Sequence, residues 1–585
     1  MNVRMKLFMG LTAVLLLVSL FISQTGRNHR LFAGSDYAIY LPLVTKPVSK
    51  DLTVTGVEIT QAIQRADNSV PLVANRNTVV RVFAEAPVGG PINNVVVRLT
   101  AVRNGSTIGQ MNSAPTTIPI DATRDNFNSS VNFQLPAGWL SGNVNLTATI
   151  DPDNTVPEAN ENNNTISQTI NFNTVPDLQV RLVPINYTHT GPTAPGFYPA
   201  QSVDYISDWL MRAYPVGNVE IAIRSPYNFT GNLQDSNSWV NDLQTGLLNR
   251  MRELKLFDGY SLNTPVVYYA FVPISNGSTR WFFSGIAGIG WIGGRESVGL
   301  NLMGFWPADE TGKLAAHEIG HNMGRRHAPC GVSGQTDPNY PYPGASIGEY
   351  GLDIPNGVFW SPATAVDIMS YCEPAWISDY TYIGIYNDQQ ANGFAAMNDM
   401  AVDSLIVSAS LSADGAVTLA PSYAFASYPA ADGGSDYRVE LLDENGNILV
   451  SHPMQLREAE EEEVSARELT AVLPLPTTAA ATLRLMHGNE VVASRSLSNP
   501  AAFGPQTATA VRQGNRITLT WGLVNTPAVV RLSPDGGQNW TALGIDVTDG
   551  TFTVDATTLP ASENGLFEII LGNTGSKVVL TAVLP

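Results

Sequence analysis

The chain has 585 residues, which is too long for one hydrophobic core, so several domains are expected. Hydrophobic residues make up 44% and charged residues 14%, as in ordinary globular proteins, and frequent Gly and Pro favour β-rich modules with many turns. The formal net charge of −19 argues against nucleic acid or an anionic membrane surface as a partner.

The N-terminus has the layout of a secretory signal. Arg4 and Lys6 precede the apolar run Leu7–Ile22, and no later stretch is long and apolar enough to span a bilayer. We therefore predict a signal peptide over residues 1–33 and a linker over residues 34–50, with a retained membrane anchor as the alternative. The expected location is secreted, extracellular or at the cell surface.

Strand-like alternation begins after this linker. The runs Thr78–Phe83 and Val95–Leu99 are separated by turn residues, so residues 51–172 are predicted to form a β-sandwich. The segment Val156–Asn163 resembles the late hairpin of CARDB-type bacterial adhesion modules. That resemblance implies a spacer or binding role for this domain.

The pattern becomes mixed over residues 176–405. Apolar residues recur at helical spacing in Ser202–Tyr214 and Ser238–Leu254, and Pro265–Val272 is a strand candidate. An α+β domain is the expected fold for this stretch.

Two further β-sandwiches are predicted, over residues 408–505 and 508–585. The acidic run from Glu458 to Glu463 is most simply a solvated loop or helix turn, and a calcium site would require convergent oxygens instead. Calcium therefore has no motif to support it. The segment Ser533–Trp540 resembles an Asp-box hairpin and is interpreted as a structural turn.

The segment from Thr311 to His327 contains the pattern H-E-x-x-H-x-x-G-x-x-H. On a helix, His317 and His321 lie on one face and can present two imidazoles to one metal ion. Glu318 can aim its carboxylate at a metal-activated water, and Gly324 permits the left-handed residue that ends the helix. His327 then supplies the third ligand, and the open fourth position is what one catalytic zinc ion requires.

Chance is the competing explanation for a lone H-E-x-x-H. The additional Gly and His at fixed offsets make coincidence much less probable, and three of the seven histidines fall in this segment. A structural zinc site would normally be closed by a fourth protein ligand, and the sequence offers none nearby.

Together with the downstream segment Asp367–Cys372, this pattern resembles the metzincin clan of metallopeptidases. The resemblance implies a catalytic domain over residues 176–405, with Met369 in a Met-turn that forms an apolar floor under the histidines. Tyr371 matches the position of a tyrosine near the metal in astacin-like and serralysin-like members. The resemblance implies that Tyr371 ligates zinc at rest and hydrogen-bonds the oxyanion during turnover. Ordinary packing of this side chain is the alternative. Ala328, after the third histidine, matches no subfamily pattern.

The chain has only two cysteines, Cys330 after the third histidine and Cys372 after the Met-turn. If the two motifs meet under one metal ion, the sulfurs lie close together. We predict a disulfide between them that pins the Met-turn to the third-ligand loop.

Two substrate-binding features are left as alternatives. The Gly-rich segment from Ser284 to Gly294 is either an edge strand that binds extended peptide or a loop in the core. Trp376, Tyr380 and Tyr382 either line the pocket for the residue after the cut or belong to the core.

The predicted fold class is thus a multidomain chain, with an α+β metzincin-like catalytic domain flanked by β-sandwich, Ig-like domains. The predicted function is a secreted zinc endopeptidase that cleaves extracellular proteins or glycoproteins, with Glu318 as general base. Contacts with the cell surface or matrix through the sandwiches are expected, and a membrane contact only through the signal segment. The alternatives are a surface adhesion protein with an inactive protease domain and hydrolysis of a non-peptide amide.

Overall fold

The computed structural model describes residues 49–187, 200–230, 246–273, 286–303, 307, 309–393, 401–412, 414–429, 434–461, 464–497 and 507–581. The predicted signal peptide, all of the predicted linker before residue 49, and residues 238–245 of the second predicted helix lie outside this part of the chain.

Ten of the eleven strands described in the N-terminal region build the sandwich, and β2 pairs outside it. They form a three-stranded sheet in the order β1-β4-β9 and a five-stranded sheet in the order β3-β11-β10-β6-β7, with a short β5-β8 ladder. Buried Val80, Val82, Leu99 and Leu146 fill the space between the sheets, as the alternation of the sequence predicts. The strands β1–β11 are Asp51–Thr60, Ile63–Gln64, Leu72–Val73, Val79–Val88, Ile92–Val95, Val97–Arg103, Ser106–Asn112, Thr116–Ile118, Val131–Gln134, Gly142–Ile150 and Thr165–Asn173.

The central region combines helices with a largely parallel sheet. Its main sheet has the order β13-β12-β15-β17-β16, β14 extends it beside β12, and β16 alone runs antiparallel to its neighbour. The strands β12–β21 are Leu178–Tyr187, Val219–Ile223, Tyr227–Phe229, Val267–Pro273, Gly288–Gly290, Glu296–Asn301, Tyr350–Asp353, Val358–Trp360, Val366–Asp367 and Ala375–Trp376. The helices α1–α4 are Ala200–Ala213, Asn249–Phe257, Glu310–Asn322 and Asp379–Asn392.

Both faces of this sheet are covered, which explains why β15 is buried at every position. Tyr269 and its same-face neighbours pack against α1 and α3, whereas Tyr268 and its neighbours pack against α2. The site helix α3 therefore packs on a buried part of this sheet. None of the helices within the described ranges is long and apolar enough to cross a membrane.

The two C-terminal regions differ from each other. Among the described residues, the strands β22–β29 hydrogen-bond as one eight-stranded antiparallel sheet, whereas a two-sheet sandwich was expected over residues 408–505. The reason is that the long strands β26 and β27 pair with each other and with β25 and β22, which joins all strands into one sheet. The strands β22–β29 are Val402–Leu411, Val417–Leu419, Tyr423–Ser427, Gly434–Leu442, Ile448–Glu461, Val464–Pro474, Thr482–His487 and Glu490–Ser496.

The last region forms two separate sheets, of three and four strands, around a core that includes Trp521 and Phe567. Asp535 accepts hydrogen bonds from the backbone N–H groups of Gln538 and Asn539, so the Asp-box segment is a structural turn here. The strands β30–β36 are Thr509–Gln513, Arg516–Thr520, Ala528–Ser533, Thr541–Val547, Thr551–Asp555, Leu566–Leu571 and Lys577–Thr581.

Candidate metal centre

Helix α3 carries the first two histidines on a buried face. Ala315, Ala316 and Ile319 are fully buried against the sheet and α1, so the helix is fixed along its length. His317 and His321 are one turn apart and only 7% and 1% exposed.

The helix ends where Gly324 adopts a left-handed conformation with φ of 76°. The N–H of Gly324 donates to the carbonyl of His321 (2.8 Å), and the N–H of Arg325 donates to the carbonyl of Gly320 (3.0 Å). These two bonds define a Schellman motif, which satisfies the last carbonyls of the helix and reverses the chain. His327, 1% exposed, is thereby brought back toward the helix.

The three histidines converge. One ring nitrogen from each of His317, His321 and His327 lies within 4.8 Å of those of the other two. Among the described residues, these three histidines are arranged so that they could hold a metal ion.

Backbone carbonyls determine which ring nitrogens face the centre. Nδ1 of His317 lies 2.8 Å from the carbonyl oxygen of Ile368, and Nδ1 of His321 lies 2.8 Å from that of Arg325. Because a carbonyl only accepts hydrogen bonds, each Nδ1 carries the proton and each Nε2 keeps its lone pair. Nε2 of His317 is buried and has no hydrogen-bond partner, as expected of an atom prepared for a metal ion.

Burial keeps the imidazoles neutral. It lowers the pKa of His317 to about 4 and, with a smaller contribution from His317, lowers the pKa of His327 to about 3. The pKa of His321 is lowered well below its ordinary value by burial and then by the two other histidines. At neutral pH all three rings are therefore in the form that binds metal ions.

Glu318 lies between α3 and the edge strand β16, and it is 2% exposed. A Cβ atom on Gly288 would lie 2.5 Å from Oε1 of Glu318, and one on Gly290 would lie 2.6 Å from the Glu318 carbonyl oxygen. The strand must therefore be glycine at both positions to let the helix and this carboxylate approach.

Met369 is fully buried beneath the helix. A Cβ atom on Gly320, between the two helical histidines, would lie 2.5 Å from the Met369 sulfur. The turn is held from both sides: Oδ1 of Asp367 accepts from the N–H of Met369 (2.7 Å), and the Met369 carbonyl accepts from the N–H of Ala328 (2.9 Å). Met369 thus lies close to the helix that carries the first two histidines.

The predicted disulfide between Cys330 and Cys372 is confirmed, with 5.7 Å between the Cα atoms. The N–H of Tyr371 also donates to the carbonyl of Cys330 (3.0 Å), so the third-ligand loop and the segment after the Met-turn are joined twice. The Tyr371 hydroxyl lies 3.2 Å from Nε2 of His327. This tyrosine is therefore part of the site, although its side chain is partly exposed.

A cavity of about 240 Å³ opens beside His317 and Glu318. It runs between α3, the start of β16 and the segment after the Met-turn. Its lining residues are Ala287, Gly288, Leu302, Glu310, Lys313, Leu314, His317, Glu318, Ile368, Ser370, Tyr371, Glu373 and Ala375.

The three aromatic residues considered as pocket candidates lie elsewhere. Trp376 is fully buried and its indole N–H donates to the carbonyl of Ala62 in the N-terminal sandwich (3.0 Å). Tyr382 is also buried, and the Tyr380 hydroxyl donates to Asp337 (2.9 Å). None of them lines the cavity, and Trp376 and Tyr382 are core aromatics.

The Gly-rich segment does form a strand at the edge of the main sheet, β16, although Ser284 and Gly285 lie outside the described residues. Its continuation is covered: the N–H of Ile292 donates to the carbonyl of Glu458 in β26 (2.8 Å), and Arg457 donates to the carbonyl of Gly293 (2.7 Å). Among the described strands, β16 itself pairs only with β17, and its three residues are buried.

Several residues of the site have no counterpart in the sequence analysis. The sequence pattern gives Asp367, which precedes the Met-turn, no role, yet its two carboxylate oxygens accept hydrogen bonds from the N–H groups of Met369 and Ser378. A sequence motif records side chains. It cannot reveal that the carbonyl groups of Ile368 and Arg325 are the acceptors, because every residue supplies a carbonyl group.

Comparison with known proteins identifies one family. Residues 90–168 match the CARDB family model, and they form a CARDB domain within the N-terminal sandwich. No curated protein matches the chain.

Solved structures similar to parts of the chain include a Pyrococcus furiosus CARDB domain in complex with two metal ions. It shares 22% identity, spans 21% of this chain and 94% of its own, and has a TM-score of 0.15. A domain of a proposed cell surface protein of Methanosarcina acetivorans shares 18% identity over 20% of this chain and 90% of its own, with a TM-score of 0.14. A Parabacteroides merdae β-glucuronidase spans 91% of this chain and 77% of its own at 7% identity, with a TM-score of 0.15. TM-scores this low carry no argument about fold or function.

Proposed function

We propose that the protein is an extracellular zinc-dependent endopeptidase of the metzincin type. The observation that carries the proposal is the convergence of three neutral, buried imidazoles, His317, His321 and His327, beside the buried carboxylate of Glu318. Three histidine ligands without a fourth protein ligand are typical of a catalytic zinc site and not of a structural one. The disulfide that joins the Met-turn segment to the third-ligand loop supports the same interpretation.

The residues fit the metal ion that the motif implies. Imidazole nitrogens suit zinc, and the Nδ1 hydrogen bonds of His317 and His321 direct the opposite nitrogens inward. A zinc ion held there would act as a Lewis acid toward the scissile carbonyl and lower the pKa of a water molecule toward about 7.

Glu318 is proposed as the general base and acid. Its carboxylate would accept the proton that the attacking water loses and would return a proton to the leaving amine. Tyr371 is proposed to donate a hydrogen bond to the oxyanion, because its hydroxyl lies next to His327 and its side chain is accessible from solvent.

Extracellular protein or glycoprotein substrates are proposed from the rest of the chain. The N-terminal charged and apolar pattern, the disulfide and the CARDB domain all suit an exported protein. The sandwiches are proposed to contact the cell surface or matrix.

The test compares wild-type protein with Glu318→Gln, each with and without 1,10-phenanthroline, on denatured casein and a heavily glycosylated mucin. Glu318→Gln is expected to keep zinc and lose at least ~100-fold in rate, because only proton transfer is removed. Glu444→Gln, at an exposed position far along the chain, is the matched control and should cleave normally. Wild-type rates in the Glu318 variant would overturn the role of that residue.

An adhesion or binding protein with an inactive protease domain is the second candidate. The CARDB domain favours it, since it is the one family identified in the chain. Zinc-loaded wild-type protein that cleaves neither substrate would support this candidate over the peptidase.

A further inference from the structure

A cluster of charges contributes to the lining of the cavity beside the metal centre. Lys313 precedes His317 by four residues, about 6 Å along the axis, on the same face of α3. Its ammonium group lies 2.7 Å from Glu310 and also pairs with Glu373, which follows the disulfide. This cluster, Glu310 with Lys313 and Glu373, lines the same cavity as His317.

The cluster has one more negative than positive charge. Its cation is already engaged by both carboxylates, and burial does not remove its charge, because the two glutamates raise the pKa of Lys313. Glu373 is also held in place, since its second oxygen accepts from the N–H of Ala375 (2.9 Å). Each carboxylate oxygen has a lone pair for another donor.

Much of the remaining lining of the cavity is apolar. Leu302, Leu314, Ile368 and Ala375 all contribute to it. The cavity therefore suits a side chain with a long aliphatic stem and a cationic end.

We infer that the cavity binds an arginine or lysine side chain of the substrate residue adjacent to the scissile bond. This inference rests on the proposed peptidase function and names its substrate class. A carboxylate in the same place would add a third negative charge beside a single ammonium group. A purely apolar side chain would desolvate Glu373 and Lys313 without replacing their contacts with water.

Peptide cleavage gives the first test. Matched peptides that differ only in Arg, norleucine or Glu at one position are supplied to wild-type protein, and both new termini are sequenced. The kcat/KM for the Arg peptide should exceed that for norleucine by about tenfold, and Glu should be the poorest. Cleavage with no preference for Arg, or with a preference for Glu, would overturn the inference while leaving the peptidase proposal intact.

Charge variants make the test specific. In Glu310→Gln/Glu373→Gln the cluster changes from one net negative to one net positive charge, so the order of the Arg and Glu peptides should reverse. Lys313→Met should instead strengthen the preference for Arg. Glu444→Gln is the matched control and should keep the wild-type order, and an unchanged order in the double variant would overturn the inference.

Binding separates this inference from the proposed function. The same peptides are titrated into zinc-loaded Glu318→Gln by calorimetry, where turnover plays no part. Tighter binding of the Arg peptide, lost in the background of the double glutamine variant, supports the inference even if no peptide is cleaved. Equal binding of all three peptides overturns it. Failure of wild-type protein to cleave any peptide counts against the peptidase proposal alone.

Discussion

Backbone groups orient the histidines. The Nδ1 atoms of His317 and His321 bond to carbonyls that belong to the Met-turn segment and to the residue after the helix cap. The orientation of these two rings therefore depends on the backbone path at Ile368 and Gly324. A substitution that changes that path should affect metal binding even if it leaves all three imidazoles in place.

The first prediction concerns metal content. Wild-type protein dialysed against trace zinc should hold one zinc ion per chain, and His321→Ala should hold almost none, because two imidazoles rarely retain zinc against dialysis. Metal analysis by mass spectrometry provides the measurement. His487→Ala, in the C-terminal sheet, is the control and should keep the wild-type stoichiometry. Full zinc occupancy in His321→Ala would contradict the proposed ligand set.

The second prediction concerns the helix cap. Gly324→Ala places a Cβ atom in a left-handed conformation, which costs roughly 1–2 kcal/mol, and should also weaken zinc binding by displacing His327. Gly324→Asn should do less harm, because asparagine tolerates this conformation. Gly105→Ala is the matched control: Gly105 has a φ of 78° in the N-terminal sandwich, far along the chain from the site. Gly105→Ala should lose a similar amount of stability and keep wild-type zinc affinity. Wild-type zinc affinity in Gly324→Ala would refute the coupling between the helix cap and zinc binding.

At the residue scale, sequence spacing predicts what lies within one helix and its cap. His317, His321, Gly324 and His327 fall inside eleven consecutive positions, so local geometry brings them together. The pairing of Lys313 with Glu373 spans 60 residues and depends on the path of the chain after the Met-turn. No local pattern encodes that path, and the charge cluster could not be predicted.

At the element scale, the third-ligand loop that follows helix α3 and the Met-turn segment depend on each other. The Met369 carbonyl and the Ala328 N–H join them, and the disulfide closes the connection 42 residues apart in the chain. The disulfide was predictable because both cysteines flank the two motifs. The hydrogen bond from the Ile292 N–H to β26 was not predictable, because the partner strand lies in another region of the chain.

The third prediction concerns this disulfide. Cys330→Ser/Cys372→Ser should lower the free energy of unfolding by about 4 kcal/mol, the loop-closure value for a separation of this length. Differential scanning calorimetry is the measurement. Dithiothreitol provides the control, since it should lower the melting temperature of wild-type protein and leave that of the double variant unchanged. Identical melting of oxidised and reduced wild-type protein would contradict a stabilising role.

At the scale of the whole molecule, the N-terminal sandwich is built into the central region. Arg76, 2% exposed, donates to the carbonyls of Met211 (2.5 Å) and Arg212 (2.6 Å), so a residue of the sandwich caps the C-terminal end of α1. Strand β2 pairs with β18, and Arg65 forms an ion pair with Asp379 at the start of α4. These contacts could not be predicted from the sequence, because alternation within a strand says nothing about which module lies beside it.

The contacts between the N-terminal sandwich and the central region extend to the strand that follows the Met-turn segment. The Ala62 carbonyl accepts the indole N–H of Trp376, in the strand that follows the Met-turn segment, and Asp379 begins the next helix. A sandwich joined by buried hydrogen bonds at several points is packed into the region that holds the candidate metal centre. An inhibitory propiece would instead have to leave after cleavage of the connector near Thr174.

The fourth prediction tests that difference. A protease recognition sequence of about ten residues is inserted after Thr174, which is exposed, and the purified protein is cut there. The two fragments should elute together in gel filtration at micromolar concentration, because the interface contains buried arginine, indole and strand hydrogen bonds. Arg76→Ala in the cut protein should weaken the association of the fragments, because the buried carbonyls of α1 lose their donor. Arg98→Ala, at a partly exposed ion pair within the sandwich, is the control and should not weaken it. Separate elution of the wild-type fragments, with peptidase activity rising on release, would instead identify residues 51–172 as a propiece.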